Sequence, residues 1–145
     1  MAKLKEVCTF YSGTGFPTKY QGNDEGEYAF YKVSDIANNV QLGNTYLSVC
    51  NNYISGEIAK EIKGCILPKD TVVFAKIGEA VKLNRRAITS ADCLIDNNAM
   101  GLAPIQDKLR LDYFFYYMRN LKMEKTCRIN DCSISQKIFI RRIRN

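Results

Sequence analysis

Apolar positions come in short runs separated by turn residues. Glu6-Val7-Cys8-Thr9-Phe10-Tyr11 predicts a strand, closed by Ser12-Gly13-Thr14-Gly15 and Pro17. Lys19 to Glu27 is polar and loop-like, and Tyr28-Ala29-Phe30-Tyr31-Lys32-Val33 predicts a second strand. Ser34 is placed to cap a short turn through Asp35, Ile36 and Ala37. Tyr46-Leu47-Ser48-Val49 reads as another extended piece. Ser55 is placed to cap a helix over Glu57 to Lys63, with Ile58 and Ile62 one turn apart and Gly64 ending it. After the turn Leu67-Pro68-Lys69-Asp70 comes the strongest strand pattern, Thr71 to Ile77.

Two further strands are predicted at Arg86-Ala87-Ile88-Thr89 and from Ala91 to Ile95, followed by a turn at Asp96-Asn97-Asn98 and an extended Leu102 to Ile105. Asp112 is placed to cap the longest helix, Tyr113 to about Met123, which carries Leu111, Phe114, Phe115, Met118 and Leu121 on one face. That stripe reads as core rather than as a stacking platform for bases. The expected fold class is α+β: a small mixed, mostly antiparallel, partly closed sheet with two or three helices.

At 145 residues with 46% hydrophobic and 25% charged side chains, the expectation is one domain with an ordinary core. No apolar run approaches the roughly 20 residues a bilayer span needs, and the start lacks a signal-peptide apolar core. We therefore expect no membrane association and a cytoplasmic location. The net charge of +6 invites a nucleic-acid reading, but its distribution weakens it. Residues 125–145 hold six basic side chains against Asp131, which leaves +5 there and +1 over the other 124 residues.

The absence of histidine excludes Ser-His-Asp and Cys-His catalysis and any two-His metal site. The six cysteines form no CxxC pair, and only Cys127 and Cys132 lie close together. They read as free, half-buried thiols rather than zinc ligands or a disulfide framework, so no metal and no cofactor is expected. The Ser12-Gly13-Thr14-Gly15 turn is a weak nucleotide signal, lacking a third glycine and a following helix. The acid-x-Lys triplet Glu61-Ile62-Lys63 has no partner acid, so no nuclease centre and no catalytic residue is assigned.

A binding surface remains. Between Lys76 and Arg86 the chain carries four basic residues and only Glu79. Arg can fork onto guanine and Asn onto adenine in the major groove, whereas Lys suits phosphate. The same stretch also reads as a solvated hairpin without a partner.

Five segments in order then carry a resemblance. They are Leu4 to Pro17, with Val7, Phe10, Ser12, Gly13, Gly15 and Phe16; Phe30 to Ile36; Leu67 to Gly78; Asp96 to Leu102; and Leu111 to Tyr117. Over Leu4 to Lys122 the chain resembles a target-recognition domain of the type I restriction-modification DNA specificity subunit. The resemblance implies a non-catalytic module that reads one half of a split site on double-stranded DNA, leaving methylation and cleavage to other subunits. Under it the candidate contacts are Lys76, Asn84, Arg85, Arg86, Asn97 and Asn98, taken from the basic, amide-rich turn cluster, with Lys19, Tyr20 and Lys32 on a second loop implied by the resemblance. The modification (methyltransferase) subunit is an expected partner, and a homodimer would restore two half-site readers.

The sequence departs from that family at residues 125–145, where a basic, proline-free stretch stands in place of the usual continuation. A recognition domain over 1–124, a tail left by truncation or frame shift near Lys125, and no spacer helix are the expectation. The competing reading is a truncated remnant that binds no DNA and acts only through protein contact.

Overall fold

The structure is a computed structural model in which residues 2–77, 79–122 and 133–134 are described. Its centre is a four-stranded antiparallel sheet of β2 (Cys8–Ser12), β8 (Ala99–Pro104), β5 (Val72–Ala75) and β6 (Ala87–Ile88), in that spatial order. The apolar run that marked β5 follows from its place inside this sheet, with both faces covered. Val72 and Phe74 face a core that includes Leu4, Val7, Leu102, Leu109, Phe114 and Met118. Val73, one residue along and therefore on the opposite face, joins Ile36, Leu47, Leu67 and Ile95. Phe114 and Met118 lie on α4 (Leu111–Asn120), so its stripe is core as expected. Arg110, not Asp112, occupies the N-cap position, and Asp112 sits in the first turn paired with Arg110 at 2.9 Å.

A second sheet has three strands, with β3 (Tyr28–Tyr31) between β4 (Tyr53–Ile54) and β7 (Cys93–Ile95). β3 pairs antiparallel with β4 and parallel with β7. Against it packs α3 (Gly56–Glu61), through Ala59, Ile58 and Ile62. Ser55 caps this helix as expected, accepting the Ile58 amide at 3.2 Å. The left-handed residue that ends it is Lys63, with φ 53°, rather than Gly64. A short pair, β1 (Ala2–Lys3) with β9 (Ser133–Ile134), forms the third sheet.

Several expectations are corrected. The α+β class with mostly antiparallel strands is as expected, but among the described residues there are four helices rather than two or three, and the strands form separate sheets that do not close. Glu6 and Val7 belong to a helical turn, α1 (Leu4–Val7), and the strand begins at Cys8. The turn expected after Ser34 is a full helix, α2 (Val33–Gln41), with Lys32 at the N-cap position. The Asp35 carboxylate accepts the Lys32 amide at 2.8 Å, which closes that end. Asn39 holds the other side of α2 from inside: its amide group donates to Asp35 O and Val49 O and accepts the Ser48 and Val49 amides. The expectations on residues 125–145, on Cys127 and Cys132 and on a missing spacer helix lie outside the described residues, apart from Ser133–Ile134. Among the described residues no helix is long and apolar enough to cross a membrane.

Cys8, Cys50, Cys65 and Cys93 are free thiols. Burial pushes Cys8 and Cys93 up to about 12 and raises Cys50 and the Tyr31 hydroxyl. The unfolded chain releases thiol protons near the ordinary value of 9.0, while the folded chain retains them. Their stabilisation is therefore complete below about pH 9 and is lost as pH climbs toward 12. Buried Arg86, lowered to about 10, acts in the opposite sense above that pH, so variants are needed to isolate the thiols. The thermal midpoint is expected to fall above about pH 9, and Cys8→Val with Cys93→Val to flatten the fall. An equally steep fall in the double variant would refute this assignment.

Candidate nucleic-acid interface

One connection between the two main sheets runs through a carboxylate. Asp96, directly after β7, accepts the Val33 amide at 3.2 Å through Oδ2 and the Asn98 amide at 2.9 Å through Oδ1. Its own amide donates to Tyr31 O at 3.0 Å, and its carbonyl accepts the Ala99 amide at 3.1 Å. The N-terminus of α2 and the 97–98 turn are thereby fixed to the same residue, although Val33 and Asp96 are 63 positions apart.

The Gly13-Thr14-Gly15 turn is laid against this junction. Thr14 bridges Asp96, its amide donates to Ile95 O at 2.8 Å, and its hydroxyl accepts the Cys65 amide at 2.9 Å. A Cβ at Gly13 would lie 1.7 Å from the Asp96 carbonyl oxygen, so the glycine is required for close backbone approach. That close approach accounts for Gly13, whereas a Cβ at Gly15 would meet nothing within 4 Å. Removing the carboxylate with Asp96→Ala is expected to cost about 1–2 kcal/mol by thermal unfolding, since two amides lose their acceptor. Asp96→Asn, which retains one acceptor oxygen, should cost less; equal losses would contradict the two-sided role.

Four of the residues expected to bind gather around Asp96. Asn97 and Asn98 are exposed in the turn that it anchors. Lys76, exposed at the end of β5, donates its amide to Asn98 O at 3.0 Å. Lys32 precedes Val33 and donates its ammonium to the Gln21 amide oxygen, which draws the 18–21 segment to the same junction. Sequence pattern alone does not mark Gln21, Asp96 or Thr14 as a contact or a support. The Asp-Asn-Asn turn was a local signal for Asp96, but its partners are remote in sequence.

Lys19 and Tyr20 lie on the 3-10 turn Thr18–Tyr20, beside this group but committed to α3. The Tyr20 hydroxyl donates to the Glu61 carboxylate, whose hydrogen bond holds the hydroxyl above its usual range. Lys19 lies 3.9 Å from Glu61 and 4.9 Å from the centre of the Tyr20 ring. With both partners well exposed, that ion pair adds little stability, but it offsets the positive charge of Lys19.

Asn84 and Arg85 lie beyond the 3-10 turn Glu79–Leu83 and are half-buried. Asn84 takes a left-handed backbone with φ 49°, and its side-chain oxygen accepts from Arg86 at 3.4 Å. Arg86 corrects the expectation. It is 4% exposed, with its guanidinium 4.8 Å from the centre of the Phe74 ring. It donates to Met118 O at 3.2 Å, Leu121 O at 3.4 Å and Arg85 O at 3.2 Å. This side chain is a bracket for the end of α4 and is not presented to a ligand. A groove of about 570 Å³ between Thr45, Tyr46, Ile88 and the start of α4 is lined by none of the candidate contacts.

The model of the type I restriction modification DNA specificity domain matches residues 1–139. The chain belongs to that family. Solved structures agree with this specificity-domain fold. The HsdS subunit from Thermoanaerobacter tengcongensis superposes with a TM-score of 0.63 at 15% identity, over 94% of this chain and 30% of that one. A chain from a structure of the type I R-M system, determined for its complex assembly and conformational transition, gives 0.61 at 16% over 94% and 30%. The type I S subunit from M. genitalium gives 0.54 at 14%, over 99% and 28%. At such identities the likeness establishes the fold. The specificity domain spans about 30% of the first of these chains. No curated protein matches its sequence.

Proposed function

We propose that this specificity domain reads one half of a bipartite site on double-stranded DNA, through the loops gathered at Asp96. The single observation that carries the reading is that the 97–98 turn, Lys76, Lys32 and Gln21, from four separate segments, are joined by hydrogen bonds at one junction. Exposed Asn97 and Asn98 supply paired donor and acceptor groups suited to adenine, and Lys76 a point charge suited to phosphate. Rigid attachment of these loops to two sheets lowers the ordering cost on binding. Asn84 and Arg85 form a second, half-buried group at the far end of the Lys76–Arg85 connection. Within a type I system the domain would direct a modification subunit, and the methylation and cleavage chemistry would reside on other chains.

Selection from a randomised duplex pool with the full chain tests this. Enrichment of a defined site of about three to four base pairs is the expected result, in keeping with one small interface. Salt-sensitive binding without sequence preference would instead assign the affinity to the basic residues of 125–145 and overturn the reading.

A further inference from the structure

The same connection that carries the cations carries two large aliphatic side chains in solvent. Ile77 is 54% exposed and Leu83 56%. The local fold inverts the usual arrangement, because Arg86 goes inside against Phe74 while these two stay out. Each sits next to a candidate contact. Ile77 follows Lys76, whose backbone is tied to Asn98, and Leu83 precedes Asn84 and Arg85. From Lys76 to Arg85 the chain has three cations and one acid, Glu79.

Two exposed aliphatic side chains on a connection that also carries Lys76, Lys82 and Arg85 suit a ligand whose apolar surfaces lie inside an anionic frame. Stacked base pairs between two phosphate strands have that arrangement. Aliphatic wedges entering a base step unstack it and bend the duplex, which converts the flexibility of that step into specificity. We propose that Ile77 and Leu83 are such wedges, so that this loop reads the deformability of the half-site as well as its base edges. The inference rests on the recognition reading above and adds a second source of selectivity to it.

The test uses the full chain and its selected duplex with 2-aminopurine at successive positions. Fluorescence is expected to rise on binding at one or two steps, and Ile77→Asn and Leu83→Asn are expected to reduce the rise and weaken binding by about tenfold. Both side chains are exposed, so unchanged thermal midpoints would confirm that the variants fold. A duplex already weakened at the reporting step by a mismatch should lose less affinity with either variant. Selective, full-strength binding with no rise at any position would overturn the wedges and leave the recognition reading standing. Absence of selective binding would overturn both. Variants that bind DNA normally but no longer co-purify with a modification subunit would assign the two side chains to a protein partner, which also overturns the proposal.

Discussion

Arg86→Ala is expected to lower stability by about 2–4 kcal/mol, or roughly 10 °C in the thermal midpoint for a chain of this length. The substitution strips Met118 and Leu121 carbonyls of their donor at the end of α4 and removes the plate that covers Phe74. A cation at a helix C-terminus also opposes the helix dipole, a favourable contribution lost with it. Burial works against the charge and lowers the guanidinium to about 10, so the net loss is smaller than the hydrogen bonds alone suggest. Arg86→Met keeps an apolar stem over Phe74 and removes the buried charge together with its hydrogen bonds, so it should retain more of the stability. Differential scanning calorimetry of the two variants decides the matter: a midpoint within about 2 °C of the parent for Arg86→Ala would refute the bracket. If Arg86 read a base, the folded Arg86→Met variant would lose selective binding; unchanged selectivity is expected.

The combined change Lys76→Ala, Asn97→Ala and Asn98→Ala is expected to abolish selective DNA binding while leaving the fold intact. All three side chains are exposed, and the turn is held by backbone amides and by Asp96 rather than by the side chains removed. Each well-placed amide contact to a base discriminates by about 1–3 kcal/mol, so two of them with a phosphate contact amount to a loss of at least about 100-fold. Removing Lys76 alone should weaken all sequences alike and reduce the salt slope by about one. Titrations of matched and mismatched duplexes at several salt concentrations separate these effects. A triple variant within about twofold of the parent would remove this turn from the interface.

Much of this architecture is legible in the amino-acid order, for reasons that differ by element. β5 is legible because burial on both faces demands an unbroken apolar run. The α4 stripe and the Ser55 cap are legible because they are local patterns of three and four residues. α1 was hidden because a single turn is too short to show a period, and its residues favour a strand equally well. The extent of α2 was hidden because Asn38 and Asn39 are weak helix formers, yet Asn39 is held by tertiary hydrogen bonds.

The candidate interface was half legible. The cations and amides of 76–86 and 96–98 stand out as a cluster of chemistry, but their directions depend on contacts that no spacing reveals. Arg86 has the sequence signature of a surface cation and is internal, since its acceptors lie 32 and 35 residues onward. Asp96 has the signature of an ordinary turn residue and is the anchor of the junction, because its partner Val33 lies 63 positions away and is brought beside it only by the pairing of β3 with β7. The parallel pairing of β3 with β7 is of the same kind, formed between strands more than 60 residues apart.

Amide hydrogen exchange of the full chain, with and without the selected duplex, tests the central claim most directly. Added protection is expected at residues 19–22, 32–33, 76–77 and 96–98. Protection confined instead to the groove at Thr45, Tyr46 and the start of α4, or to residues 125–145, would contradict the account.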